Sequence, residues 1–163
     1  MTRAGPVFEG KIVAPEELAR RAAKLPRPLV FTNGVFDILH RGHVTYLARA
    51  RAMGASLVVA LNDDVSARRL GKGAGRPINR LEDRLAVIAA LEAIDAASWF
   101  GEDTPELLIR ACKPDVLAKG GDWPVERIVG AQEVLARGGR VESIPFEHER
   151  STSALVQRIR GTG

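Results

Sequence analysis

Short apolar runs alternate with longer amphipathic stretches along the chain, punctuated by Gly, Pro and capping residues. Residues 29–32 form a brief β-prone run, and residues 56–61 (SLVVAL) a continuous apolar one bounded by Asn62-Asp63-Asp64. Both predict strands buried on two faces. Residues 97–100, 115–118 and 140–144 predict three more strands. Helices are predicted over residues 15–25, with Pro in the first turn, and over residues 43–53, closed by Gly54. Asn79 precedes a helix over residues 80–93, and Glu82 after it suggests a capping box. Thr104-Pro105 opens a helix to about residue 112, and residues 125–137 form one closed by Gly138-Gly139. Ser151-Thr152-Ser153 caps a last helix that runs to about residue 160.

A strand followed by a helix, repeated with short connections, predicts a doubly wound, Rossmann-like α/β domain with a five-stranded, mostly parallel sheet. Residues 1–28 are expected to be an N-terminal extension carrying the first helix, and residues 29–160 the domain itself. Ligands of such sheets bind at the carboxyl ends of the strands, near the point where strand order reverses.

Composition narrows the function classes. The chain has 163 residues, 45% hydrophobic and 27% charged, enough for one domain with a real core. Its longest apolar stretches, residues 57–61 and 85–91, fall far short of the ~18 residues of a membrane span. No apolar signal segment opens the chain, so the cytoplasm is the expected location and no membrane partner is expected. A single cysteine, Cys112, excludes an intramolecular disulfide and a cysteine metal cluster, and no H-E-x-x-H is present, so no protein metal site is expected. Residues 1–84 hold 15 of the 24 basic residues and 8 of the 20 acidic ones. That excess fits an anionic ligand in the first half, though an unevenly charged solvated surface would look the same. A polyphosphate is favoured over nucleic acid, because aromatics are only 5% and none interleave with a basic stretch.

The candidate chemistry lies in residues 32–43, TNGVFDILHRGH, between the first strand and its helix. No G-x-G-x-x-G is present, and Gly71-Lys72-Gly73-Ala74-Gly75 is no P-loop, since neither Ser nor Thr follows the lysine. His40 and His43 flank Gly42 at a helix start, where free N–H groups and the helix dipole favour an anion. Gly34 and Gly42 allow close backbone approach. Two imidazoles there could stabilise charge on a transferring phosphoryl group. By itself H-x-G-H is also an ordinary capping turn.

The longer pattern Gly34-x-Phe36-Asp37-x-x-His40-x-Gly42-His43 resembles the signature of the cytidylyltransferase-like nucleotidyltransferases. The resemblance implies the doubly wound fold and transfer of a nucleoside monophosphate from a triphosphate to a phosphate, in line and without a covalent intermediate. Ser151-Thr152-Ser153 is similar to the family's Ser/Thr-rich start of a late helix. Within the family, Arg76-Pro77-Ile78-Asn79, Leu81-Glu82-Asp83-Arg84, Glu102-Asp103-Thr104-Pro105 and Lys119-Gly120-Gly121-Asp122-Trp123 look like the members that adenylylate D-glycero-β-D-manno-heptose 1-phosphate. Those members make ADP-heptose for lipopolysaccharide core. The alternative is a glycerol-3-phosphate cytidylyltransferase or another small nucleotidyltransferase. Phe146-Glu147 stands where cytidylyl members carry Arg-Thr, which favours ATP, and Lys72 lies one residue farther from Arg76 than the pattern expects.

The resemblance implies catalytic roles for His40, His43 and Lys72. It implies nucleotide contacts from Asn33, Gly34, Val35, Phe36, Gly42, Arg84, Lys119, Gly120, Asp122, Ser151 and Thr152, and sugar-phosphate contacts from Asp37, Asp63, Arg76 and Trp123. Mg²⁺ is expected to come with ATP. A separate sugar kinase and a phosphatase are expected upstream, and a homodimer is left open.

Overall fold

The computed structural model describes residues 5–161. Its strands are β1 (Leu29–Gly34), β2 (Ser56–Asn62), β3 (Ala96–Phe100), β4 (Val116–Gly120) and β5 (Arg140–Ile144). All pair in parallel, in the order β3-β2-β1-β4-β5. Parallel strands covered on both faces read as continuous apolar runs, which is why β2 is buried along its whole length. Alternate residues feed two cores. Leu29, Phe31, Val58 and Ala60 pack on one face with Leu18, Ile109 and Val134, whereas Val30, Leu57, Val59 and Leu61 pack on the other with Leu47 and Ile88. Each fully buried Leu, Ile or Phe contributes roughly 1.5–3 kcal/mol relative to exposure.

The helices are α1 (Pro15–Ala22), α2 (Arg41–Ala52), α3 (Asp64–Arg69), α4 (Leu81–Ala89), α5 (Glu106–Cys112), α6 (Ala131–Ala136) and α7 (Thr152–Arg160). Helices α1, α5 and α6 cover the first face, and α2 and α4 the second. The N-terminal segment packs on the domain: Leu18 and Ala22 are fully buried, and Ile12 bridges Ala97 beside β3.

Several boundaries differ from expectation for identifiable reasons. The stretch 125–137 is not one helix. A 3₁₀ turn over Val125–Arg127 gives way to α6 after Gly130, whose φ of 84° breaks the helix. Asn79 does not cap α4; Arg80 holds that position, and the Asn79 amide instead donates to the Asp37 carbonyl. Thr104 does not cap α5, where Pro105 holds the N-cap position. Helix α3 was not expected; Asp63 caps it, its carboxylate accepting from the Ser66 N–H at 2.7 Å.

The chain runs outward from β1 to β2 and β3, then returns across β1 to β4 and β5. Loops leaving β1 and β4 therefore part in opposite directions and open a cleft at the carboxyl edge. Among the described residues, no helix is long and apolar enough to cross a membrane.

Candidate active site

The histidine pair is built by the turn between β1 and α2. Phe36 takes a φ of 48°, rare for a bulky residue, and turns its ring edge-on to His43 at 5.3 Å. A Cβ on Gly34 would stand 2.9 Å from the Phe36 ring, so any larger residue would push that ring out of place. Helix α2 begins at Arg41, two residues earlier than expected, which makes His40 the N-cap residue and puts His43 in the first turn. The two imidazoles stack with centroids 3.8 Å apart and planes 23° from parallel. Gly42 leaves room for this, since a Cβ would approach the His40 ring to 3.0 Å.

Both rings are neutral at physiological pH. Burial first, then the charges of His40 and Lys72, push the His43 pKa down to about 4, with a weak backbone interaction at Ile38 acting the other way. Burial and Arg150 lower that of His40. Nδ1 of each ring is buried and makes no regular hydrogen bond. A neutral imidazole keeps one donor and one acceptor nitrogen, so the pair can hydrogen-bond a phosphate without carrying fixed charge.

Facing the histidines are residues from β4, the β5–α7 connection and the start of α7. Ser151 caps α7 through the Ala154 N–H at 3.0 Å, and the Thr152 hydroxyl donates to the Ile38 carbonyl at 3.1 Å. The second bond ties α7 to the histidine turn. Lys119 is half-buried, and burial together with Lys72 lowers its pKa. The histidines, Lys72, Arg76, Gly120, Ser151 and Thr152 line a cavity of about 390 Å³. A second cavity of about 430 Å³ adjoins it, adding Asn62, Asp103, Thr104 and Arg127. Asn33, Gly34, Val35, Lys72, Lys119 and Trp123 line both, so the two lysines stand where the cavities meet.

Five expected site residues are placed otherwise. Gly42 is buried in the first turn of α2 and lines neither cavity. Arg84 is 1% exposed and lines neither cavity; its guanidinium is committed to backbone carbonyls and Asp64 beneath the cleft. It is not placed to touch a triphosphate. Asp63 caps α3 and faces a groove beside β3. Asp122 sits on an exposed turn after β4, outside both cavities. Asp37 lies at the cavity wall, but its carboxylate already accepts from Arg76 Nε at 2.6 Å and from the N–H groups of Ile78 and Asn79 at 2.9 Å. Burial alone would raise its pKa; the Asn79, Ile78 and Arg76 donors outweigh that and hold it below the usual carboxylate range.

The structure also adds residues. Arg150 and Tyr46 line the histidine cavity, and Phe146 lines it 55% exposed, its ring over Gly120 so closely that a Cβ there would meet it at 2.8 Å. The Tyr46 hydroxyl pairs with Thr32, and burial pushes its pKa up to about 12. Arg150 carries a sequence signal that the pattern passed over, a cation just before the Ser/Thr cap, whereas Tyr46 reads as ordinary core.

The description "Cytidylyltransferase-like" belongs to the family model that matches residues 31–158. The chain is 56% identical over 155 residues to the D-beta-D-heptose 1-phosphate adenylyltransferase of Bordetella bronchiseptica, covering 94% of this chain and 96% of that one. It is 56% identical over 135 residues to the bifunctional protein HldE of Pseudomonas paraeruginosa, covering 83% of this chain and 28% of that longer one. The crystal structure of the lipopolysaccharide core biosynthesis protein from Thermoplasma volcanium superposes with a TM-score of 0.60 at 31% identity, over 75% of this chain and 98% of that one. With its signature at the strand-order reversal and the match running from β1 to α7, the chain belongs to the cytidylyltransferase-like family.

Proposed function

We propose that this protein transfers AMP from ATP to D-glycero-β-D-manno-heptose 1-phosphate, giving ADP-heptose for lipopolysaccharide core and pyrophosphate. The observation that carries the reading is the neutral histidine pair at the head of α2, beside two cavities that meet at Lys72 and Lys119. Identity of 56% to the Bordetella heptose 1-phosphate adenylyltransferase over nearly the whole chain supports the choice of substrate.

The cavity with the histidines and the α7 N-terminus takes the triphosphate, where helix N–H groups and hydroxyls suit its anionic oxygens. The adjoining cavity takes the sugar phosphate, whose hydroxyls meet Asn62, Asp103 and Thr104. An oxygen of the acceptor phosphate attacks the α-phosphorus. A new P–O bond forms as the bond to the pyrophosphate oxygen breaks, so no residue becomes covalently modified. Lys72 and Lys119, at the junction, offset the repulsion between two approaching anions. The histidines donate to oxygens on which charge builds as pyrophosphate departs.

Mg²⁺ is proposed to arrive on ATP. Among the described residues no group of three His, Cys, Asp or Glu could hold a metal ion, and the carboxylate at the cavity wall, Asp37, is fully engaged. When bound, the ion would neutralise phosphate charge, as Mg²⁺ does with few protein ligands.

ATP is favoured over CTP because Phe146-Glu147 stands where cytidylyl members carry Arg-Thr, and the Phe146 ring packs over Gly120 instead. The acceptor is proposed to come from a separate sugar kinase and phosphatase, and the reaction to run in the cytoplasm. Pyrophosphate release, measured with ATP or CTP against heptose 1-phosphate or glycerol 3-phosphate, tests the reading. It should appear with ATP and the heptose; release chiefly with CTP and glycerol 3-phosphate would replace it.

A further inference from the structure

Arg84 is the largest fully buried side chain of the described residues, and a buried cation needs a reason. Its guanidinium reaches four residues in three segments at the carboxyl edge of the sheet. Nε donates to the Asn79 carbonyl at 3.0 Å, Nη1 to those of Val35 and Asn62 at 2.8 Å each, and Nη2 to Asp64 Oδ1 at 2.7 Å. Val35 lines both cavities, and Asn62 the second. Directly after Val35 comes Phe36, held at a φ of 48° with its ring against His43. Asn79 in turn clamps Asp37, one residue further on, through its N–H and its side-chain amide.

We propose that Arg84 is a positioning residue, a strut beneath the cleft that sets the Val35–Asp37 turn and through it the seat of His43. A bulky residue in the left-handed region persists only where its surroundings over-determine it. Here the carbonyl before Phe36 is fixed from below by Arg84, and the residue after it is fixed by the Asn79 and Arg76 donors. Among the described residues, no other donor reaches this half-buried carbonyl, so loss of Arg84 leaves it without a protein partner. The cheapest relief is rotation of the turn toward solvent, which withdraws the Phe36 edge from His43. The inference rests on His43 facing the triphosphate, but not on which acceptor is used.

The test pairs Arg84→Met with Arg84→Lys and reads two quantities. One is turnover with ATP and heptose 1-phosphate; the other is the His43 titration, followed by NMR without substrate. Arg84→Met should lower kcat about 100-fold, as small misplacements of reacting groups do, with a much smaller change in KM for ATP. The His43 pKa should rise from about 4 toward the ordinary histidine value as the ring loses its burial. Arg84→Lys should fall between Arg84→Met and wild type on both. Asp64→Asn, which removes only the partner at the more open end, should cost less than either. If Arg84→Met does not fold, the titration of Arg84→Lys decides. An unchanged His43 pKa and wild-type kcat in a folded Arg84 variant would overturn the proposal. A shifted titration with no turnover on heptose 1-phosphate by the wild-type protein would instead keep Arg84 and reject the substrate.

Discussion

The two ends of the sheet both carry a basic cavity, and they differ in what their cations are doing. At the amino edge, Arg27, Lys113, Arg137 and Arg140 surround about 520 Å³, a larger volume than either cavity at the carboxyl edge. Its arginines are engaged: Arg27 with Asp115 at 2.8 Å and the Lys113 carbonyl at 2.9 Å, Arg137 with Glu133 at 2.8 Å, Arg140 with the Met53 carbonyl at 3.0 Å. They tie loops together. At the carboxyl edge, Lys72 and Lys119 have no salt-bridge partner among the described residues, and two imidazole nitrogens are buried without regular hydrogen bonds. Cavity size alone favours the amino edge; the pairing of its arginines, against two unpaired lysines beside the histidines, favours the carboxyl edge, because an unpaired cation gains most when an anion arrives.

The sharpest way to break that comparison is to remove the histidines. His40→Ala and His43→Ala should each lower kcat by roughly 10²–10³ if each supplies a preorganised donor at the transition state. Circular dichroism should show both variants folded, and near-wild-type turnover in both would remove the mechanism. Next come the cations. Lys72→Ala and Lys119→Ala should each lower kcat/KM about 10- to 100-fold, the range of one charged hydrogen bond at ~1.5–3 kcal/mol. Arg27→Ala and Arg140→Ala, at the other edge, should leave kcat/KM near wild type and cost only a little Tm. Equal losses at both edges would dissolve the distinction between committed and uncommitted charge.

A smaller effect separates Asp37 from a substrate ligand. Its folded pKa lies below the ordinary carboxylate value of about 3.9. The stability it contributes is therefore fully present above that ordinary value and is lost as pH falls through the lower folded one. Asp37→Asn should destabilise the protein at neutral pH by roughly 1–3 kcal/mol, by weakening bonds to Arg76, Ile78 and Asn79. It should also flatten the acid limb of a plot of denaturation midpoint against pH. A variant with wild-type stability and a raised KM for the sugar phosphate would restore Asp37 as a ligand.

How far the sequence could be read follows from range. Strands β2 and β5 were legible because a strand buried on both faces, or bounded by Gly139, announces itself within a few residues. The histidines were legible because the turn that builds them is one continuous segment. Helix α3 was not, since Asp63 and Asp64 read equally well as the end of a strand. The roles of Arg84 and Asp37 were hidden for a different reason. Arg84 looks like the exposed face of a helix, and its partners Asn62 and Val35 lie 22 and 49 residues away. Burial of a charge is a tertiary fact, and no local pattern encodes it.

The smallest effect sharpens the comparison most directly, because it measures a proton. In the free protein burial pushes the His43 pKa down to about 4, which leaves the ring neutral through the physiological range. A triphosphate beside the ring favours the imidazolium, so the bound-state pKa must lie higher. Between the two values, binding takes up a proton, and linkage requires ATP to bind more tightly as pH falls. Calorimetry with a nonhydrolysable ATP analogue at about pH 5.5, in buffers of different ionisation heat, should show uptake of a fraction of a proton. The nucleotide's own terminal phosphate also titrates, so the His43→Ala variant supplies the baseline. Its uptake should be smaller by the share that His43 carries, while Arg27→Ala, at the far edge, should match wild type. Equal uptake by wild type and His43→Ala would show that the ring does not face the phosphates.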